Sequence, residues 1–294
     1  MAHTEQLDRV RVAHLTDLHV GRVTPHAVQV EAVELTNAQE PDLVVITGDF
    51  VCHSQMWLDQ LSDVVGRLHA PVLTVLGNHD HWSGSDEVRW ALRRAGAEVL
   101  DNAFTTLTIR GQKLQVAGLD DAYTGNADVA QAVRGLDPTL PSIGLSHIAE
   151  EADALWHHGV PIVFSGHTHA GQVTYAKLNE LLLGRVVGHR YVHGLYGSRK
   201  GDGPLPGAVY VGAGIGAAIV PVRLGDRARR EVAVFELGDA PGTFAEHHAE
   251  QAPSRGRKPS ADKRRKRVLQ AERKSEKRRR AARRKGVDPF ASKG

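Results

Sequence analysis

The sequence predicts an α/β sandwich of sheets flanked by helices, followed by a separate basic tail. Three observations lead there. Short β-branched runs alternate with longer helical patterns over residues 10–158, strand-rich sequence closes the body at 207–237, and charge divides unevenly between body and tail. Strand–helix alternation ending in antiparallel strands is the signature of sheets covered by helices.

Taken in order, "VRVAHLT" (10–16), "DLVVIT" (42–47), "PVLTVL" (71–76), "SIGLSH" (142–147) and "PIVFSG" (161–166) are continuous apolar runs. Each reads as a strand buried on both faces and is too short for a helix. Helical spacing occupies 25–40, 54–69, 85–95, 126–135 and 149–158. The first of these opens with Thr24 as the expected N-cap and Pro25 at the first helical position. "TTLTIRGQKLQVAG" (105–118) predicts a hairpin turning at Arg110-Gly111.

The body is expected to end near residue 240, giving one domain over 1–240 and a tail over 241–294. Residues 255–294 hold 18 Lys/Arg against 4 Asp/Glu, a net +14, which leaves −11 for residues 1–254 of a chain whose formal charge is +3. Only Val268 and Leu269 offer large apolar side chains in the middle of this tail, too few to bury a core, so disorder is expected there. The acidic body suits a domain that houses cations.

The 294 residues are 41% apolar and 24% charged, ordinary for a globular protein. The single Cys52 excludes an internal disulfide and suits a reducing compartment. The first residues lack a charged-then-apolar signal segment, and no apolar run approaches the ~20 residues of a membrane span. A soluble, cytoplasmic protein is expected, with peripheral contact at the inner membrane face if the tail binds lipid.

The chemistry gathers at strand ends. Strand one runs into Asp17 and His19, strand two into Asp49, strand three into Asn78, His79 and Asp80, the strand at 142 into His147, and the strand at 161 into His167 and His169. Ligands in open α/β sheets collect beyond the carboxyl ends of the strands. Gly48, Gly77 and Gly166 beside these residues would let the backbone turn and approach closely. Taken singly, Asp17 with His19, or Asp49 after a glycine, reads as a turn. Coincidence across five strand ends does not.

Oxygen and imidazole donors without thiolate suit Mn, Fe, Zn or Co better than a sulfur-bound structural zinc. Seven donors exceed one small cation and match two that share a carboxylate. Such pairs sit roughly 3.5–4 Å apart and clamp the attacking and leaving oxygens of phosphoryl transfer, with a bridging hydroxide as nucleophile.

The blocks "DLHVG", "GDF", "GNHD", "SH" and "GHTH" together resemble the calcineurin-like metallophosphoesterase superfamily over residues 10–237. "GHTHAGQ", "YVHGLY", "VYVGAGIG" and "VPVRL" resemble its small bacterial phosphodiesterase branch, which includes enzymes cleaving UDP-2,3-diacylglucosamine in lipid A synthesis. The resemblance implies a four-layer αββα sandwich and two divalent cations, with Mn the expected metal and Zn, Fe or Co the alternatives. It implies one ion on Asp17, His19, Asp49 and His169, and a second on Asp49, Asn78, His147 and His167. His79 would stand near the scissile phosphate, oriented by Asp80, and protonate the leaving oxygen or steady its charge. Two positions depart from the pattern: Ala149 where a proline is usual, and Ala170 in place of a glycine.

Other residues receive plainer readings. His14 is expected in the core, His157-His158 and His247-His248 on the surface, and His81, Trp82, His189 and His193 are candidates for the cleft. The "GAGIG" run (212–216) matches neither phosphate-loop spacing, so close strand packing is expected.

The expected function is metal-dependent hydrolysis of a phosphodiester or pyrophosphate. Three rivals remain: UDP-2,3-diacylglucosamine hydrolysis, a nuclease using the tail, and a non-catalytic scaffold. The tail could act as an inert extension, a salt-sensitive nucleic-acid tether, or a tether to anionic lipid. It carries no aromatic residue over 255–285, which removes base stacking as a mode.

Overall fold

Strands buried on both faces need cover on both faces, and the computed structural model supplies it. It describes residues 7–52, 54–171, 188–198, 203–204, 206–218, 223, 225, 228–238 and 250–253, with Lys266, Leu269, Gln270, Arg273, Glu276, Lys277 and Arg280 beyond. One sheet holds β1 (Val10–Leu15), β2 (Leu43–Thr47), β3 (Val72–Val75) and β4 (Glu98–Val99) in parallel, with β11 (Ala233–Leu237) antiparallel beside β1.

The other sheet contains β5 (Ala103–Ile109), β6 (Gln112–Gly118), β7 (Ser142–Leu145), β8 (Ile162–Ser165), β9 (Gly194–Gly197) and β10 (Ala208–Val211). Its order is β5-β6-β7-β8-β10-β9, parallel from β6 through β10 and antiparallel at both edges. β5 and β6 form the expected hairpin, and Arg110 and Gly111 both have positive φ, as a tight hairpin turn requires.

The layers follow from side-chain alternation. Val10, Val12, Leu43, Val45, Leu73 and Val75 face Leu114, Val116, Ile143, Leu145, Phe164 and Tyr210 in one apolar cluster between the sheets. On the outer side of the first sheet, Leu15, Val44 and Ile46 pack with α1 (His26–Ala38), α2 (Leu58–Gly66) and α4 (Ser85–Arg94). Outside the second, Val163, Val209 and Val211 pack with α5 (Val129–Ala132) and α6 (Ala152–His157). The result is the four-layer αββα sandwich.

Several local expectations are corrected. Pro25, not Thr24, caps α1, and the Thr24 hydroxyl instead accepts from the Ala217 amide at 3.0 Å. The helix expected over 126–135 shrinks to α5, opened by Asp128, whose carboxylate accepts from the Gln131 amide, and followed by Gly135 at φ +97°. Those over 54–69 and 149–158 each begin as a 3-10 turn, at Gln55–Trp57 and Ala149–Glu151. A short helix, α3 (Asn78–Ser83), was not expected at all.

His14 is in the core as expected, bonded to Thr47 Oγ1 at 2.8 Å, with burial pushing it down to about 4. His157 and His158 are exposed. His247-His248, the "VPVRL" stretch apart from Arg223, and most of the tail lie outside the described residues. Within the described residues no helix is long and apolar enough to cross a membrane.

Candidate metal centre

The carboxyl ends of β1, β2 and β3 from one sheet and of β7 and β8 from the other converge on one edge of the sandwich. The chain leaves these strands through backbone that L-residues rarely adopt: Asp17 (φ 53°), His19 (42°), Asp49 (55°), His167 (74°) and His169 (51°) are all left-handed. Strain of this kind persists where the surroundings over-determine it. Here Asp17 N–H donates to the Gly48 carbonyl (3.0 Å), His19 N–H to that of Asp49 (3.0 Å) and Gly216 N–H to that of Asp17 (2.7 Å). Gly216 must be glycine for that contact, because a Cβ there would overlap the Leu18 carbonyl oxygen. The "GAGIG" run is thus packed against the β1 loop, as expected.

Two groups of side chains result. Asp17, His19, Asp49 and His169 offer ligand atoms all within 4.8 Å of one another, and so do Asp49, His147 and His167. Asp49 belongs to both. His19 Nε2 lies 3.0 Å from His169 Nε2 and 3.6 Å from Asp49 Oδ2, while His167 Nδ1 lies 3.2 Å from His147 Nε2. Imidazole nitrogens this close, gathered about shared carboxylates, bring potential ligand atoms to common points.

The surrounding bonds fit a cation pair. His147 donates from Nδ1 to the Thr47 carbonyl at 2.7 Å, which turns Nε2 inward, as is usual for metal-binding histidines. Asp17 Oδ2 accepts from Thr16 Oγ1 and the His167 amide, leaving Oδ1 toward His169 at 3.2 Å. Asn78 Oδ1 is buried and has no hydrogen-bond partner among the described residues, a costly state for a polar atom that a cation would relieve. The donor set, carboxylate, carboxamide and imidazole, suits first-row divalent ions.

Burial dominates the electrostatics. It lowers His19 and His167 well below the ordinary imidazole value and lowers His79 and His169 as well, so these rings are neutral at pH 7. Burial also opposes the charge on His147, but the adjoining Asp49 carboxylate overcomes it and pushes that ring up to about 10. Asp49 would itself be raised by burial, yet His147, His79 and His19 hold it well below the carboxylate range.

His79 and Asp80 occupy the first turn of α3. The His79 amide donates to Asp49 Oδ1 (2.9 Å), and its ring packs edge-on to His19 with centroids 4.9 Å apart. Asp80 accepts from the amides of Phe50 (2.8 Å), Val51 (3.2 Å) and Gly77 (2.9 Å). Its carboxylate therefore ties the β2 loop to the α3 turn and sets His79 through the backbone. Burial and the Asp49 charge push Asp80 up to about 7 against those donors. Cys52 is a bystander: its thiol is buried and pushed up to about 12.

The cleft candidates divide. Trp82 packs on His79 (4.8 Å between centroids) and His189 on His167 (5.2 Å), whereas His193 is buried and held by Glu231. His81 pairs with Asp120 at 2.6 Å. Sequence reasoning missed Tyr123, whose ring lies 5.4 Å from that of His167, and the buried Asp120 and Asp121 that hold its loop. The only hint was "GLDDAYTGN" directly after the hairpin, at another strand end.

The model of the family described as calcineurin-like phosphoesterase matches residues 10–171. The chain belongs to that family. Among curated relatives, metallophosphoesterase YkuE of Bacillus subtilis is 28% identical over 236 residues, covering 78% of this chain and 79% of the relative. Phosphodiesterase YaeI of Escherichia coli is 28% identical, covering 77% and 82%. The UDP-2,3-diacylglucosamine pyrophosphatase LpxG of Chlamydia trachomatis is 26% identical, covering 57% and 66%.

Two solved structures share the architecture of this phosphoesterase. Haemophilus influenzae NAD nucleotidase (NadN) has a TM-score of 0.51 at 14% identity, covering 94% of this chain and 60% of its own. A dimetal phosphatase from Danio rerio has a TM-score of 0.50 at 12% identity, covering 79% and 94%. The phosphoesterase chain therefore spans only about 60% of the length of that nucleotidase. At such identities the likeness is one of fold.

Proposed function

We propose that the protein is a dinuclear-metal phosphohydrolase acting on a phosphodiester or pyrophosphate bond. One observation carries the reading: two ligand groups from four strand ends share the single carboxylate Asp49. Asp17, His19, Asp49 and His169 would hold one divalent cation, and Asp49, Asn78, His147 and His167 the other, with Mn favoured over Zn, Fe or Co. The cations would supply charge neutralisation at phosphorus and lower the pKa of the attacking water. His79, neutral and fixed through its amide on Asp49, would donate a ring N–H to the leaving oxygen. Asp80 keeps that turn in register with the β2 loop.

The deciding assay sets bis(p-nitrophenyl) phosphate beside p-nitrophenyl phosphate, using chelator-stripped protein titrated with Mn²⁺, Zn²⁺, Co²⁺ and Mg²⁺. Metal-restored cleavage of the diester with little monoester turnover is expected. Asp49→Asn and His167→Ala should each abolish that turnover in protein that still unfolds cooperatively. Most of the activity surviving in both variants would overturn the assignment.

The LpxG relative favours a second reading, hydrolysis of a UDP-linked lipid, with the tail over 241–294 on an anionic membrane surface at the cytoplasmic face. A nuclease reading would use the same tail on phosphate backbones. Deleting residues 254–294 separates them: a nuclease loses polynucleotide binding and its steep salt dependence, whereas an enzyme for small or lipid-linked substrates keeps turnover of a soluble diester.

A further inference from the structure

The mouth of the cation site is edged by rings, and two of them, Trp82 and Tyr123, come from a chain in which Phe, Trp and Tyr make up only 5% of the sequence. From the His79 ring, Trp82 follows at 4.8 Å between centroids and Tyr123 at 6.1 Å from Trp82. Tyr123 in turn lies 5.4 Å from His167, which lies 5.2 Å from His189. Trp82, Tyr123 and His189 are each partly exposed, as are His79 and His167, whereas Asp17, His19, Asp49 and His147 beneath are buried. Trp82 sits three residues after His79 on α3, so the two share a helix face.

This edge is built, not incidental. The loop carrying Tyr123 is fixed by buried Asp121, which accepts from the Thr124 amide at 2.7 Å, and by the Asn126 amide on the Asp121 carbonyl at 2.9 Å. The same loop is clamped to α3 and α4, because Asp120 binds His81 at 2.6 Å and Arg89 at 3.1 Å. Trp82 and Tyr123 therefore come from two elements locked together by a buried ion-pair network. Glu150, on the loop that supplies His147, fixes the other end by accepting the Arg190 amide at 2.8 Å and lying 3.3 Å from His189 Nδ1. Rigid aromatic faces beside a phosphate-binding centre are the means by which proteins hold a base by stacking.

We propose that Trp82 and Tyr123 form a recognition edge for a planar aromatic group joined to the scissile phosphate, making the substrate class nucleotide-like. The inference rests on the phosphohydrolase reading for the phosphate, and adds what is attached to it. Trp82 and Tyr123 meet edge to face at 6.1 Å, too close to admit a third ring between them, so the base lies against their outer faces.

The test reads binding directly. Metal-loaded protein is titrated with adenosine 5′-monophosphate and with ribose 5-phosphate, which lacks only the base, following tryptophan fluorescence and competition by each against bis(p-nitrophenyl) phosphate. The nucleotide should bind about tenfold or more tightly than the sugar phosphate and quench the Trp82 signal. Trp82→Ala and Tyr123→Ala should bring the ratio toward one, and Trp82→Phe and Tyr123→Phe, which keep a ring and the packing, should retain most of it. Equal affinities in the wild type, or a ratio unchanged in the alanine variants, overturn the proposal. Diester turnover without base discrimination rejects the edge alone. Base discrimination without turnover keeps the edge and rejects the hydrolase.

Discussion

Replacing Asp120 by Asn should weaken the clamp between α3 and the Tyr123 loop, and the loss should depend on pH. Its carboxylate is 7% exposed, 2.6 Å from His81 and 3.1 Å from Arg89. Burial alone would raise Asp120; the hydrogen bond and charge of His81, the Asp121 amide and Arg89 overcome this and hold it at about 2. The fall from 3.8 to about 2 corresponds, at about 1.36 kcal/mol per pH unit, to about 2.5 kcal/mol favouring the folded, ionised form. That contribution is present above the unfolded value of 3.8 and is lost as pH falls through about 2.

His81 has the opposite sign. Burial disfavours its charge, but Asp120 outweighs burial and raises it, so its contribution is complete below 6.5 and is lost as pH rises through the folded value. Urea unfolding of chelator-treated protein at fixed ionic strength should therefore show Asp120→Asn about 2–3 kcal/mol less stable than the wild type at pH 6. The gap should narrow toward pH 9. An equal gap at both pH values, or one under about 0.5 kcal/mol at pH 6, would refute the ion-pair account.

Other outcomes follow from the same geometry. Removing metal from the wild type should lower its unfolding temperature by several degrees, since a cation present at ~100 times its Kd stabilises by about 2.7 kcal/mol; Asp49→Asn should show little metal response. Ala170, buried at φ 51° and ψ 18°, occupies a glycine-like conformation. Ala170→Gly should gain about 0.5–1 kcal/mol in thermal unfolding, and a loss would mean that the methyl packing outweighs the strain. Gly216→Ala should cost roughly 2–3 kcal/mol and weaken metal affinity by displacing the Leu18–His19 backbone. Unchanged metal affinity by calorimetry would show that the loop yields without moving His19.

What was legible in the sequence was whatever a strand announces locally. Runs such as "LVVIT" are apolar throughout because both faces of β2 are buried, and Asp, Asn and His follow five such runs because the strand ends are where the site lies. The first turn of α3 was hidden because "NHDHWS" has no apolar period; its helix is set by Asp80 on the Gly77 amide and by what surrounds it. Thr24 looks like a cap from its neighbours, yet Ala217, 193 residues away, claims its hydroxyl. Asp120 lies 40 residues after Asp80 and 27 before His147, and only the pairing of β6 with β7 brings its loop, with Tyr123, to the mouth.

Function and stability are divided between different parts of each strand. The strand bodies are packed between and beneath apolar layers in ordinary extended backbone. The residue pairs just beyond them, Asp17 with His19 and His167 with His169, are left-handed, as is Asp49. At roughly 1–2 kcal/mol for each such non-glycine residue, the five together are strained by on the order of 5–10 kcal/mol. The sandwich must offset that strain, through the loop hydrogen bonds to Gly48, Asp49 and Asp17 and the burial beneath them. In return, the ligand atoms of each group lie within 4.8 Å of one another, as donors to a shared cation must. A sequence that relaxed these turns would fold more stably and hold its donors farther apart. The strained backbone is therefore part of the site, as much as the side chains it presents.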